Sequence, residues 1–397
     1  MRKTRLVFVT TVPITLEAFF RGQFVYWKQK GFEVIAISSP GTLLETLRDR
    51  ESVMVFPVPM IRGLSPISDL LAILRLYWLF KRLKPEIVHA STPKAGFVGM
   101  IAATLAGVPV RIFTLRGLMS EMDGRLKAVL RWMEKLTCKL AHTVTANSGS
   151  VAKMCVSNRF CSQEKLLVLG HGSSNGVDAS DVFNPDKTPI TCTNALRAEY
   201  GIPESAKVIG FVGRIVKDKG IFELANAWVT LRRKHLDSYL MIVGKPEARD
   251  AALKQIIDDW GYDERVVFTG WIPRERMATH CGIMDVLALP TYREGFPNVV
   301  LEAAATGVPV VASKVTGCVD AVVDGVTGTL VPAKDPVALA DAIEKYIVDP
   351  ELRRRHGQAG RTRALNDFQP EMIWNDLHDL YIKMLKEKGL PIPKPMD

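Results

Sequence analysis

The chain has 397 residues, 47% apolar and 24% charged, which is the balance of an ordinary water-soluble protein long enough for two domains with separate cores. No stretch approaches the ~18 uninterrupted apolar residues of a membrane-spanning helix. The net charge of +10 is uneven: residues 1–180 hold 24 Lys and Arg against 12 Asp and Glu, and the remainder 28 against 30. Such an excess suits nucleic acid, an anionic membrane surface or a phosphate-bearing substrate. With no zinc-finger spacing or RNP motif, nucleic acid is not expected, and a membrane surface or phospholipid-like substrate is preferred. The six cysteines (Cys138, Cys155, Cys161, Cys192, Cys281 and Cys318) show no CxxC pair and no metal-ligand spacing, and so read as reduced, mostly buried thiols in the cytoplasm.

In chain order, the basic start and short apolar run at the N-terminus fit a first strand over 5–10 better than a signal peptide. Further strands are predicted at 32–38, 86–90, 109–115, 143–147 and 165–169. After a break they continue at 207–213, 239–243, 265–269, 285–290, 309–313 and 328–332. These runs are rich in Val, Ile and Leu without polar alternation, and longer helical segments separate them. The pattern predicts parallel strands buried on both faces, an α/β architecture of two doubly wound domains. Two of the helical segments, 68–84 and 124–140, mix apolar residues with basic ones (Arg125, Lys127, Arg131, Lys135 and Lys139 in the second). That composition suits a membrane interface, and equally a helix covering a sheet.

A stretch rich in Gly, Pro and polar residues predicts a hinge at 173–204, between an N-terminal domain (1–172) and a C-terminal one (205–370). A last helix over about 371–388 carries Ile373, Trp374, Leu377, Leu380, Tyr381 and Met384 at helical spacing.

Two motifs carry chemistry. In Val208-Ile-Gly-Phe-Val-Gly-Arg-Ile-Val-Lys-Asp-Lys-Gly220 a strand ends at Gly213, and Arg214 and Lys219 then bracket a polar turn. The second is Glu294-Gly-Phe-Pro-Asn-Val-Val-Leu-Glu302. Asn298 is the expected N-cap of a helix that Gly307 stops, leaving the amides of Asn298 and Val299 as a phosphate seat. Two carboxylates flanking such a seat are better suited to accept hydrogen bonds from hydroxyls than to bind phosphate.

This second motif, followed by Ala-Thr-Gly-Val-Pro-Val-Val-Ala-Ser over 305–313, resembles the retaining glycosyltransferases of family 4. The resemblance implies the GT-B fold, two Rossmann-like doubly wound domains facing a cleft. It implies that Glu294 contacts hydroxyls of a donor sugar and Glu302 the ribose, with Gly295, Phe296, Pro297, Asn298 and Val299 between them in the donor site. Arg214 and Lys219 match the family's Gly-Arg-x4-Lys-Gly motif, whose cations neutralise the donor diphosphate. With Glu294 they are the expected catalytic groups. Trp271 and Ile272, in Gly270-Trp-Ile-Pro273, match a loop used near the base, although Trp271 fits packing equally well. Gly170-His-Gly-Ser-Ser-Asn-Gly-Val-Asp178 is similar to the family's hinge, and in this fold the last helix crosses back to the first domain.

No Asp-x-Asp occurs, so no metal and no cofactor is expected. The nucleotide sugar, UDP on family frequency, is a substrate. On the acceptor side, Thr10-Thr-Val-Pro-Ile-Thr15 replaces the Gly-Gly loop of many members, leaving Thr11 as a candidate. His89-Ala-Ser-Thr-Pro-Lys-Ala-Gly96 and Thr114-Leu-Arg-Gly117 resemble members that extend polyprenyl-diphosphate-linked saccharides in surface polysaccharide or glycoprotein pathways. Lys94 and Arg116 are then candidates for a lipid or donor phosphate, or simply exposed cations, and His89 reads as structural. Such an enzyme is expected in the cytoplasm, peripheral at the inner face of the cell membrane. The alternatives are a transferase with a small soluble acceptor and a nucleotide-sugar 2-epimerase of the same fold. A nicotinamide dehydrogenase lacks its Gly-x-Gly-x-x-Gly.

Overall fold

A computed structural model describes residues 3–118, 126–247 and 251–395. The chain divides into two compact units, residues 1–175 with 371–397 and residues 176–370.

The first unit is built on seven strands: β1 (Arg5–Val9), β2 (Glu33–Ser38), β3 (Met54–Pro57), β4 (Ile87–Ser91), β5 (Val110–Leu115), β6 (Thr143–Ala146) and β7 (Leu166–Val168). They form one parallel sheet in the order β3-β2-β1-β4-β5-β6-β7. Leu6, Phe8, Val34, Ala36 and Ile87 pack into one core, while Val7, Val9, Ile35, Ile37 and Val88 pack into another. Alternate side chains thus enter two apolar layers, which is why the strands show no polar alternation. Met54-Val-Phe-Pro57 was not among the predicted strands. It is a four-residue edge strand, half exposed and ended by a proline, and so lacks the apolar run that marks its neighbours.

The helix Pro370–Glu387 belongs to this unit and buries Ile373, Trp374, Leu377, Leu380, Tyr381 and Met384. Its Trp374 Nε1 donates to Asn175 Oδ1 at 2.7 Å. His89 sits beneath the helix, its two ring nitrogens 2.5 Å from the Tyr381 hydroxyl and from Thr114 Oγ1. Burial first, and the Arg116 charge second, push its pKa from 6.5 down to about 3. The folded protein therefore keeps the ring neutral at pH values where the unfolded chain protonates it. Stability on this account is complete above about pH 6.5 and lost progressively toward 3. Urea midpoints followed from pH 7 to 5 should fall, and His89→Gln should reduce the slope by up to about 1.4 kcal/mol per pH unit.

The second unit carries β8 (Lys207–Val212), β9 (Ser238–Val243), β10 (Val266–Gly270), β11 (Val286–Leu289), β12 (Val310–Ser313) and β13 (Gly328–Val331). This sheet is also parallel, in the order β10-β9-β8-β11-β12-β13. The same two-faced packing recurs. Val208, Met241, Leu287 and Val310 point to one layer, and Ile209, Leu240, Val286 and Val311 to the other. The stretch read as a hinge is only partly loop. Val177, Ala179, Phe183, Leu196 and Ile202 all enter the second unit's core, and 190–199 is a helix. These five anchor the stretch to the core while Val182 and Ile190 stay exposed, a division that low apolar content alone concealed.

Each sheet has one position where chain order reverses, between β1 and β4 in the first unit and between β8 and β11 in the second. Loops leaving the carboxyl ends of two such strands part to opposite sides, and ligands of open α/β sheets bind in the crevice left there.

Candidate functional site

At the β8/β11 switch point the two motif loops are fastened to each other. The loop after β8 closes with a short 3-10 turn, Lys217–Lys219, and Gly220 follows at φ +73° as the N-cap of the helix Ile221–Lys234. A Cβ on Gly220 would lie 1.9 Å from the Pro290 carbonyl oxygen, so only glycine permits both the turn and the approach. The Asp218 carbonyl accepts from the Tyr292 amide (2.9 Å) and Thr291 Oγ1 (3.1 Å), and its carboxylate takes Arg293 Nη2 at 2.8 Å. The Tyr292 hydroxyl donates to Glu223, and Lys334 lies over its ring. Across this seam Lys219 Nζ donates to Glu294 Oε1, joining the two residues that the motifs singled out. Gly317, at φ +78°, backs the Glu294 loop so closely that a Cβ would sit 2.4 Å from the Gly295 oxygen.

Arg214 and Lys219 do not share a partner. Arg214 is exposed and held by Glu247 at 2.9 Å, on the loop after β9, whereas Lys219 is turned toward β11. The helix that follows runs Asn298–Ala305, and its N-cap is Pro297, not Asn298 as expected. Proline supplies the extended cap conformation with no side chain to accept a hydrogen bond, so Asn298 enters as the first helical residue. Its Oδ1 is buried with no hydrogen-bond partner among the described residues. The end of the helix follows expectation, with Gly307 at φ +80° and its amide bonded to the Ala304 carbonyl.

Glu302 lies one turn into that helix. Burial raises its carboxyl above the ordinary value of 4.5, with the Arg274 charge pulling the other way. A raised folded pKa contributes stability at low pH that is lost as pH rises through the folded value. Glu302→Gln should therefore melt at a higher temperature than the parent at pH 7.5. If the carboxylate binds a ribose, calorimetric titration should show nucleotide-sugar affinity falling about 10-fold or more.

The other donor candidates divide by burial. Ile272 and Phe296 are core residues, the Phe296 ring tilted 53° against that of Phe368 with centroids 5.5 Å apart, and Pro297 is buried as well. Gly295 and Val299 are half-buried. Trp271 is 60% exposed after β10, two strands along the sheet from β8, so it is not a packing residue. Asp218, Thr291, Tyr292, Glu223 and Gly317 were missed. Asp218 stood inside the Arg-x4-Lys motif, but the others had no local signal.

In the first unit, Thr11 and Thr92 meet at the β1/β4 switch point, their Oγ1 atoms 2.7 Å apart, and Thr11 Oγ1 also accepts from the Ala95 amide. Thr92 has φ +79°, ψ 147°, a strained conformation for a residue with a Cβ, at the head of the helix Pro93–Leu105. Arg116 follows β5. Its Nε donates to Ser91 Oγ at 2.6 Å, its guanidinium lies over Phe19 and Phe20, and its Nη1 is buried without a hydrogen-bond partner among the described residues. Burial lowers its pKa to about 9, which leaves it charged at neutral pH. Lys94 is not an exposed cation, since it is buried with Nζ 2.5 Å from Asp69 Oδ2.

The sequence matches two family models, "Glycosyl transferases group 1" over residues 193–363 and "Glycosyl transferase 4-like domain" over 16–172. The chain is 35% identical over 98% of its length, and 99% of the relative's, to the capsular polysaccharide biosynthesis glycosyltransferase CapM of Staphylococcus aureus. It belongs to the family 4 glycosyltransferases of GT-B fold and is an enzyme of that class. A second relative is the UDP-Gal:alpha-D-GlcNAc-diphosphoundecaprenol alpha-1,3-galactosyltransferase of Escherichia coli, 29% identical over 88% of each chain. Among solved structures, Anabaena HepE in complex with UDP and glucose superposes with a TM-score of 0.79 at 20% identity, covering 95% of this chain and 99% of that one.

Proposed function

We propose that this chain transfers a sugar, with retention, from a nucleoside diphosphate sugar to a polyprenyl-diphosphate-linked saccharide during surface polysaccharide or glycan assembly. UDP is the first candidate for the nucleotide. The observation that carries the proposal is the joining of Lys219 to Glu294 at the head of the helix Asn298–Ala305, on a chain alike along most of its length to a capsular polysaccharide biosynthesis glycosyltransferase and to a galactosyltransferase named for a GlcNAc-diphosphoundecaprenol acceptor. In the reaction the bond from the sugar's anomeric carbon to the diphosphate breaks, and a bond to the acceptor oxygen forms on the same face. The acceptor proton passes to the departing diphosphate. Lys219, Arg214 and the first amides of the helix are suited to the negative charge that grows there, so they favour the transition state over the ground state. Glu294 is suited to a sugar hydroxyl, Glu302 and Asn298 to the ribose side, and Trp271 to the base. No step in this scheme uses a metal.

On the acceptor side, Arg116, whose buried Nη1 has no hydrogen-bond partner among the described residues, suits a phosphate oxygen. The helix Pro66–Leu83 buries Ala72, Leu76 and Phe80 but leaves Ile67, Leu70, Leu71, Leu74 and Trp78 exposed near Arg75, Lys81 and Arg82. On the helix Lys127–Leu140, Trp132 is likewise exposed, while Arg125 lies outside the described residues. No helix among the described residues is long and apolar enough to cross a membrane. An exposed apolar stripe beside cations is suited to an anionic bilayer surface. Sedimentation with anionic vesicles should exceed that with neutral ones and fall with salt, and Trp78→Ser with Leu74→Ser should abolish it.

The test of the reaction is mass spectrometry of purified protein with a panel of nucleotide sugars, a polyprenyl-diphosphate-sugar and soluble sugars, with EDTA present. A lipid product heavier by one hexose or N-acetylhexosamine is expected. Transfer to soluble sugars alone would remove the lipid acceptor, and loss of transfer in EDTA would remove metal independence. No use of any donor would remove the proposal.

A further inference from the structure

We propose that Cys138, Cys155 and Cys161 form a structural site for one divalent d10 cation, zinc in the first instance, held by three thiolates. Their spacing in the chain, 17 and then 6 residues, matches no common metal motif, and none was expected. Folding nevertheless brings the three Sγ atoms within 4.8 Å of one another, with Cys155 and Cys161 at 3.6 Å. Thiolates bound to zinc at about 2.3 Å in a tetrahedral arrangement stand roughly 3.8 Å apart, so the present geometry needs only small adjustments.

Three separate elements supply the ligands. Cys138 is in the last turn of the helix Lys127–Leu140, Cys155 is in the helix Gly149–Ser157, and Cys161 is on the loop that leads into β7. Cys138 and Cys155 are fully buried in the first unit's core, whereas Cys161 is half-buried. The Cys161 side therefore offers both an entry path and room for a fourth ligand from solvent.

Charge fits as well. Three thiolates and a divalent ion leave one negative charge, and Lys165 supplies a cation nearby, its Nζ donating at 2.9 Å to the carbonyl of Lys139, the residue after Cys138. Binding as thiolates releases the thiol protons to solvent and involves no change of oxidation state. The site would brace the β6–β7 edge of the first sheet. It uses no residue of the glycosyl-transfer site, so its failure would leave that proposal untouched.

The experiment uses the whole chain, reduced, stripped with chelator and titrated with Cd²⁺ alone. A sulfur-to-metal charge-transfer band in the ultraviolet should grow and saturate at one ion per chain. Zn²⁺ should displace the Cd²⁺ and raise the melting temperature. Cys161→Ser should lose the band and the zinc-induced shift, while Cys192→Ser, at an exposed cysteine, keeps both. Absence of the band in the parent protein would overturn the proposal, whatever the variants do. A band that survives in Cys161→Ser would also overturn it. So would native mass spectrometry showing Cys155 and Cys161 joined with loss of two hydrogens.

Discussion

Replacing Lys219 with alanine is expected to lower kcat by about 10²- to 10³-fold, the usual effect of removing one preorganised group from a site of developing charge. The loss should be largely in kcat, because the charge on the departing diphosphate is greater in the transition state than in the bound donor. Lys219→Arg should recover part of it, since the charge is kept while the shape changes. Lys217→Ala is the control. That lysine is exposed, belongs to the same 3-10 turn and should leave the rate near the parent's. Lys219 also donates to Glu294, so the variant frees a carboxylate that is otherwise paired. Glu294→Gln in the same background separates the two contributions. If Glu294 binds the donor independently, the double variant should be slower than Lys219→Ala. A folded Lys219→Ala enzyme within tenfold of the parent would remove Lys219 from the catalytic set.

The second large effect concerns stability. Asp69→Ala should destabilise the protein by about 3–5 kcal/mol, because it leaves a buried ammonium without its counter-ion. Asp69 lies in the first turn of the helix Pro66–Leu83, and Lys94 at the start of the helix Pro93–Leu105. The pair therefore ties two packed helices together as well as satisfying two charges. The double variant Asp69→Leu with Lys94→Met should regain most of the loss, since apolar residues of similar volume replace a buried pair at little cost. It is also expected to retain glycosyl transfer, because the ion pair already occupies the Lys94 ammonium. Denaturant titration and the transfer assay together decide the role of Lys94. A double variant that folds well but no longer transfers would return Lys94 to the acceptor site.

Local regularities made much of the molecule legible in its sequence. Runs such as Leu6-Val-Phe-Val and Val310-Val-Ala are apolar at every position because both sheet faces are covered, so the order of strands and helices, the edge strand at Met54–Pro57 aside, could be written down directly. The Arg214–Lys219 and Glu294–Glu302 motifs were equally plain, since each spans one loop and one turn of helix.

Tertiary structure decided what those local signals could not. Ile272 and Phe296 lie inside the donor motifs, but their side chains belong to the core, because a motif marks a stretch of chain and not the direction of each side chain. Strand order in a parallel sheet is set by how the crossovers stack, so the neighbours across a switch point are remote in the chain. Thr11 meets Thr92, and Lys219 meets Glu294 75 residues away. Cys138, Cys155 and Cys161 converge for the same reason. Periodicity reports which face of an element is buried, whereas contacts between loops depend on where the sheet sets their ends down, and only the folded chain contains that information.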